Sequence, residues 1–160
     1  MPAPTLHFIH PAHPLYPAEL ELRFRVLREP LGRPRESVTF PFEAQSLHLV
    51  AVEAAEAADA GAPVVGCVLF HPDSAEGEPP GGRLFQMAVH PRLQGQGLGA
   101  RLVRHLEEAL RERGYARVHL HARAGVVPFY ERLGYAVYGE PYDEVGIPHR
   151  SMQRLLAPPT

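Results

Sequence analysis

Apolar residues recur along the chain in two rhythms. Leu98, Leu102, Val103, Leu106, Ala109 and Leu110 keep a period near 3.6, which predicts an amphipathic helix stopped by Gly114 just after the basic turn of Arg111 and Arg113. A second helix is expected where Leu20, Phe24 and Leu27 share a face and Glu19, Glu21, Arg23, Arg25 and Arg28 take the others, ending before Pro30. Residues 30–42 read as an irregular connection. Short β-rich runs at 6–10, 47–52, 64–70 and 84–89 read as strands. The turn-forming tracts at 53–63 and 72–83 join the last three into two antiparallel hairpins with exposed, mobile tips. Residues 117–123 alternate, Val118, Leu120 and Ala122 facing one way and His119 and His121 the other. A short helix with Pro128 in its first turn and Gly134 beyond its end, a strand at 135–138 and an apolar run at 152–156 complete the pattern. Because a helix separates the strand at 84–89 from that at 117–123, those two are expected to be parallel. The fold class that follows is α/β, a mixed, mostly antiparallel central sheet flanked by helices.

At 160 residues the chain has room for one domain, expected to span 1–160, and its apolar fraction of 45% supports a full core without metal or disulfide staples. Its 18 prolines and 14 glycines, a fifth of the residues, imply many turns but fall short of low complexity. A net charge of -2 offers no general footprint for a nucleic acid, so none is expected as a partner. All 16 basic residues are Arg, and without lysine there is no Schiff-base or pyridoxal-phosphate chemistry and no P-loop lysine. The single thiol, Cys67, lies in an apolar run and reads as a core residue. No run reaches the length of a membrane span and no basic start precedes an apolar block, so the expectation is a cytoplasmic protein without a membrane partner.

The residues with the strongest chemical message are Gln94, Gly95, Gln96, Gly97, Leu98 and Gly99, between a strand and the start of the long helix. Glycines there turn the backbone tightly and leave its N–H groups uncovered, while the helix start adds about half a positive charge, an arrangement suited to a pyrophosphate. With Ala100 the letters also satisfy a Rossmann dinucleotide pattern. Residues 90–94 separate the strand from the first glycine, however, and no acid ends the next strand to hold a ribose, which argues against an oxidoreductase. In the short helix, Phe129 and Leu133 lie one turn apart and serve the core, while Tyr130 is open to either a packing or a catalytic role.

Taken together, the strand at 84–89, the Gln94–Gly99 loop with its [QR]-x-x-G-x-[GA] form, and Phe129-Tyr130-Glu131 make the chain resemble the GNAT superfamily of acyl-CoA-dependent N-acetyltransferases. Gly146-Ile147-Pro148-His149, followed by Met152, is similar to the closing strand of a branch of small bacterial members. The resemblance implies that the loop amides hold the pyrophosphate of acetyl-CoA, that the backbone of Met87, Ala88 and Val89 pairs with the pantetheine, and that Tyr130 protonates the departing thiolate. It implies transfer to a primary amine of a small molecule or peptide, with no metal. Chemistry agrees: an amine with a pKa near that of lysine, about 10.4, needs a base or desolvation, and a phenol of pKa about 10 stays protonated and can donate. The alternative is a protein of this fold that senses acyl-CoA without turnover.

The base is open between Glu144, His149, Gln86 and water. His119 and His121 share a strand face without a third ligand at a recognisable spacing, so they read as hydrogen-bonded histidines rather than a metal site. Where many members of the superfamily carry Asn seven residues before the tyrosine, this chain has Arg123, so that contact with the cofactor does not carry over. Arg23, Arg25, Arg28, Arg33 and Arg35 cluster locally, either as a solvated face paired with Glu19, Glu21 and Glu29 or as a site for an anionic acceptor. The variable stretches at 31–42 and 138–149 are the expected acceptor loops. Small members of the superfamily often pair, so the resemblance allows a homodimer, although no heptad or long apolar stripe specifies an interface.

Overall fold

The computed structural model describes residues 3–53 and 63–158, so the tip of the first hairpin lies outside the described residues. The seven strands are β1 (Thr5–Ile9), β2 (Leu47–Val52), β3 (Val64–Pro72), β4 (Gly81–Val89), β5 (Arg117–Arg123), β6 (Ala136–Glu144) and β7 (Ile147–Leu155). Three helices, α1 (Tyr16–Arg23), α2 (Leu98–Glu112) and α3 (Val127–Arg132), accompany them. The fold is α/β with a mixed, mostly antiparallel sheet. The chain divides into two compact units, one of residues 1–71 and 86–106, the other of residues 72–85 and 107–160, and both β4 and α2 run through the division.

In the first unit, β1 pairs with β2 and β2 with β3, both antiparallel, and the end of β4 follows β3. The start of α2 buries Leu98, Leu102, Val103 and Leu106, each at most 6% exposed, which contributes on the order of 1.5–3 kcal/mol per side chain. A Cβ on Gly66 of β3 would stand 3.0 Å from Leu102 Cδ1 and 3.3 Å from Leu98 Cδ2. Glycine at 66 therefore lets the first turns of α2 seat directly on the strand.

The first helix differs from the sequence expectation in its inward face and its end. Leu15, Glu19, Leu22 and Arg23 are the buried residues, while Leu20, Phe24 and Leu27 are only partly covered. Arg23 NH1 donates to Glu19 Oε2 at 2.8 Å and to Glu43 Oε1 at 2.9 Å, and its NH2 reaches Glu43 Oε2 at 2.7 Å and the Val38 carbonyl. His48 completes the cluster, with Nδ1 3.0 Å from Glu19 Oε2 and Nε2 2.8 Å from the Glu43 carbonyl. Two carboxylates, a guanidinium and an imidazole thus share hydrogen bonds inside the unit, which is why a charged i,i+4 pair can point inward. Beyond Arg23 the backbone passes through a π-helical turn at Phe24–Arg28 and a 3-10 turn at Glu29–Leu31 before Gly32, at φ +68, ends it. Pro30 lies in that last turn rather than after the helix.

In the second unit the spatial order is β4-β5-β7-β6. The start of β4 runs parallel to β5, pairing Gly81, Gly82 and Arg83 with Arg117, Val118 and His119. The strand begins earlier than the sequence suggests because Gly81 tolerates this approach: a Cβ there would lie 2.7 Å from the Arg117 carbonyl oxygen. β5 and β6 each pair antiparallel with β7. Residues 138–149, expected as an acceptor loop, form most of the β6–β7 hairpin, turned at Val145 (φ +47) and Gly146 (φ +76). Between Tyr138 and Tyr142 the register shifts, with Gly139 at φ +69.

Candidate active site

The glycine loop belongs to the first unit. β4 ends at Val89, residues 91–93 make one 3-10 turn, and Gln94 Nε2 donates to the Val89 carbonyl at 2.9 Å, tying the loop to the strand end. Gly95 and Gly97 stand at φ +79 and +86, in the left-handed region that favours glycine. No atom lies within 4 Å of a Cβ built on either, so the loop surface is open where a side chain would otherwise cover it. Leu98 and Gly99 open α2, whose first-turn N–H groups have no earlier carbonyl in the helix to bond. Loop and helix start fit a pyrophosphate, held by N–H groups and the helix dipole. Gly97 and Gln96 also border a hollow of about 440 Å³ whose other lining residues include Arg92, Arg101 and Glu53. Those two arginines, which the sequence reading did not single out, carry positive charge beside the loop. Arg92 pairs with Glu53, and Arg101 NH1 donates to the Pro4 carbonyl at 2.8 Å.

Met87, Ala88 and Val89 form the end of β4, just after Gln86, whose φ of +53 breaks the regular strand geometry. The Gln86 carbonyl accepts from the buried Cys67 thiol at 3.3 Å, and its side-chain oxygen is 3.4 Å from Arg28 NH2. Cys67 is wholly buried, as its apolar run implied, and burial pushes its thiol pKa up. The arginine cluster is split by the fold: Arg23 is interior, whereas Arg25 and Arg35 both pair with Glu21 on the surface.

Tyr130 belongs to the second unit. Pro128 starts α3 and Gly134, at φ +96, releases the chain after it, so Tyr130 sits within a single short helix. Its ring meets Phe129 edge-on at 4.9 Å and Tyr135 at 5.8 Å. Tyr135 is anchored in turn, donating to Glu107 Oε2 at 2.9 Å while Arg154 NH1 donates to Glu107 Oε1 at 2.6 Å. Tyr130 is 7% exposed, and burial alone pushes its phenol pKa up, with no charge or hydrogen bond contributing. A phenol in that setting stays protonated through the physiological range, the state a general acid requires.

The other sequence candidates gather on one face of the second unit's sheet. Register places His121 opposite Ser151 and Arg123 opposite His149, and Tyr142 opposite His149 on the far side. His149 is 6% exposed, with Nδ1 2.7 Å from the Ile147 carbonyl and Nε2 3.4 Å from Glu144 Oε2. Tyr142 stacks on His149 at 5.8 Å and its hydroxyl lies 2.5 Å from His121 Nδ1. His119 Nε2 meets Asp73 Oδ2 at 2.7 Å, so both strand histidines are hydrogen-bonded, as expected. Arg123 ends β5 exposed. Among the described residues, the one group of three ligand-type side chains close enough to share a metal is Glu19, Glu43 and His48, where Arg23 already neutralises the carboxylates.

Comparison with known proteins places these features in a family. The sequence profile of the Acetyltransferase (GNAT) family matches residues 14–135. A Bacillus subtilis protein, YyaT, is 38% identical over 61 residues, which are 38% of this chain and 41% of that one. The matched stretch spans between 20 and 50% of the length of the curated relatives compared. Among solved structures, an acyl-CoA N-acyltransferase from Pseudomonas aeruginosa superposes with a TM-score of 0.76 at 25% identity, covering 95% of this chain and 99% of that one. An aminoglycoside 6'-N-acetyltransferase solved with coenzyme A superposes with a TM-score of 0.74 at 18% identity, covering 98% and 99%, a likeness of fold. No helix among the described residues is long and apolar enough to cross a membrane. By sequence profile, strand topology and loop geometry alike, the chain belongs to the GNAT family of acetyltransferases.

Proposed function

We propose that this protein transfers an acetyl group from acetyl-CoA directly to a primary amine. The observation that carries the reading is the loop into α2, where Gly95 and Gly97 hold left-handed backbone and leave its surface open. In this reading the N–H groups of residues 94–99 hold the pyrophosphate, with Arg92 and Arg101 adding charge to the same surface. The backbone of Met87, Ala88 and Val89 pairs with the pantetheine, and the Gln94 bond to Val89 keeps strand end and loop in one arrangement. Acetyl-CoA supplies an activated carbonyl and a thiolate leaving group. Tyr130 donates its hydroxyl proton to the departing sulfur, and its ring is held in place by Phe129 and Tyr135. No metal enters the scheme.

The test is a screen of primary amines with detection of the free thiol, run beside thermal denaturation. Acetyl-CoA is expected to raise the melting temperature, because it binds the folded state alone, and at least one amine class to drive thiol release. Stabilisation by a nicotinamide dinucleotide without any by acetyl-CoA would overturn the reading.

A further inference from the structure

We propose that the polar face of the second unit's sheet binds an oxyanion, the carboxylate or phosphate group of a small molecule, through Arg83, His121 and Arg123. The site lies wholly within that unit and is independent of the acetyl-transfer reading. Side chains alternate across each strand, so the sheet has two unlike faces. On one, Val118, Leu120, Ala122 and Met152 are at most 2% exposed. On the other, register sets Arg83 of β4 beside His119 of β5, while Arg117, His121 and Arg123 share that side of β5 and His149 of β7 stands opposite Arg123.

Charge on this face is unbalanced. The carboxylates bonded to it go to histidines: Asp73 Oδ2 lies 2.7 Å from His119 Nε2, and Glu144 Oε2 lies 3.4 Å from His149 Nε2. Neither serves an arginine. Arg117 donates from Nε to Gln153 and lies 5.9 Å from the Tyr138 ring centre, and Arg83 lies 5.7 Å from that of Phe85. Among the described residues no carboxylate pairs with Arg83, Arg117 or Arg123. Arg83 Nε is also buried without a hydrogen-bond partner, as is the neighbouring His119 Nδ1. Part of the Arg83 guanidinium is thus already withdrawn from water with its charge uncompensated, so an anion gains more there than at a fully solvated arginine. The planar guanidinium fork suits a carboxylate or a phosphate equally.

His121 adds a neutral donor between the cations. Ser151 donates to the Tyr142 oxygen, and the Tyr142 hydroxyl, 2.5 Å from His121 Nδ1, donates in turn to that nitrogen. The neutral ring then carries its proton on Nε2, an N–H directed away from Tyr142 on an exposed side chain. Burial lowers the His121 pKa, Arg83 of β4, His119 of β5 and His149 of β7 act in the same direction, and Glu144 of β6 opposes them. Arg123, two residues along β5, shares the face. The imidazole therefore sits in a net positive field, the complement of an anion. A bound anion reverses that field, so His121 must gain a higher pKa on binding, and affinity must rise as pH falls through that value.

The test follows the His121 imidazole by NMR in the whole protein as malonate or inorganic phosphate is added, with sodium chloride matched for ionic strength as the control. Either probe is expected to raise the imidazole pKa saturably from its starting value below about 6.5, and chloride to leave it in place. The stronger response identifies the ligand group, malonate for a carboxylate and phosphate for a phosphoryl group. Arg83→Gln should weaken that probe's binding about 10–100-fold, the worth of a hydrogen bond between charged groups. Arg123→Gln, at an exposed position, should weaken it as well and keeps the test open where Arg83→Gln does not fold. An imidazole that both probes move no more than chloride does would overturn the site. So would unchanged affinity in the folded variants, or a phosphate response confined to the Gly95 and Gly97 amides of the first unit with His121 unmoved.

Discussion

Tyr130 contributes one hydroxyl to the proposed chemistry and a whole ring to the core, so Tyr130→Phe separates the two. The variant should keep its melting temperature and its affinity for acetyl-CoA while turnover falls about 10²–10⁴-fold. Single-turnover measurement is the check, because a slow later step would hide the loss in steady state. Wild-type single-turnover rates across neutral pH would return Tyr130 to a packing role. Gly97 offers the matching test on the cofactor side. A valine there must adopt φ near +86 and would fill the open surface of the loop, so folded Gly97→Val should lose measurable acetyl-CoA affinity. Calorimetric titration beside circular dichroism would show whether affinity falls without loss of fold, and unchanged affinity would remove the loop from the phosphate site.

At the scale of elements, the buried cluster linking α1 to β2 sets a pH dependence with a definite sign. Burial opposes a charged His48, but its hydrogen bond to Glu19 and the charges of Glu19 and Glu43 outweigh burial and hold its pKa above the ordinary value. Its contribution to stability is then complete below about pH 6.5, the unfolded value, and is lost as pH rises through the folded value. Glu43 works the other way: burial opposes its charge, Arg23 more than compensates, and its lowered pKa gives stability present above about pH 4.3 and lost on further acidification. The melting temperature should accordingly peak between these limits, and a profile that keeps rising above pH 8 would contradict the assignment for His48. Arg23→Met should cost about 3–5 kcal/mol by leaving two buried carboxylates without their partner, which denaturant titration would measure.

This same cluster marks where the sequence was hard to read. Period and terminal glycines were enough to place α2, α3 and the loop between β4 and α2, because each of those signals is local. Glu19 and Arg23 were assigned outward since charge ordinarily seeks water, and only their pairing with Glu43 and His48, 20 or more residues away, lets them turn inward. Residues 138–149 were expected as an acceptor loop from the family resemblance and not from any local pattern, whereas the structure uses Gly139 at a register shift, Gly146 in a hairpin turn and Pro141 and Pro148 at strand positions. That register shift precedes Tyr142, which reaches His121, so a contact spanning 21 residues was invisible to any local pattern. His119 and His121 were correctly set on one strand face, but not their partners Asp73 and Tyr142.

For the whole molecule, family membership and fold rest on the profile match and on superposition across nearly the full chain, while donor, acceptor and proton route rest on the residues argued above. Binding of acetyl-CoA alone would not distinguish a catalyst from a protein that only senses the cofactor. The direct test uses acetyl-CoA labelled in the acetyl group, incubated with the protein and a panel of primary amines, with mass spectrometry of the amine alongside quantitation of free thiol. The account predicts that label appears on the nitrogen of at least one amine class in one-to-one proportion with thiol released. Saturable binding of acetyl-CoA with no labelled amine and no thiol release across the panel, or thiol release with all the label recovered as free acetate, would contradict it.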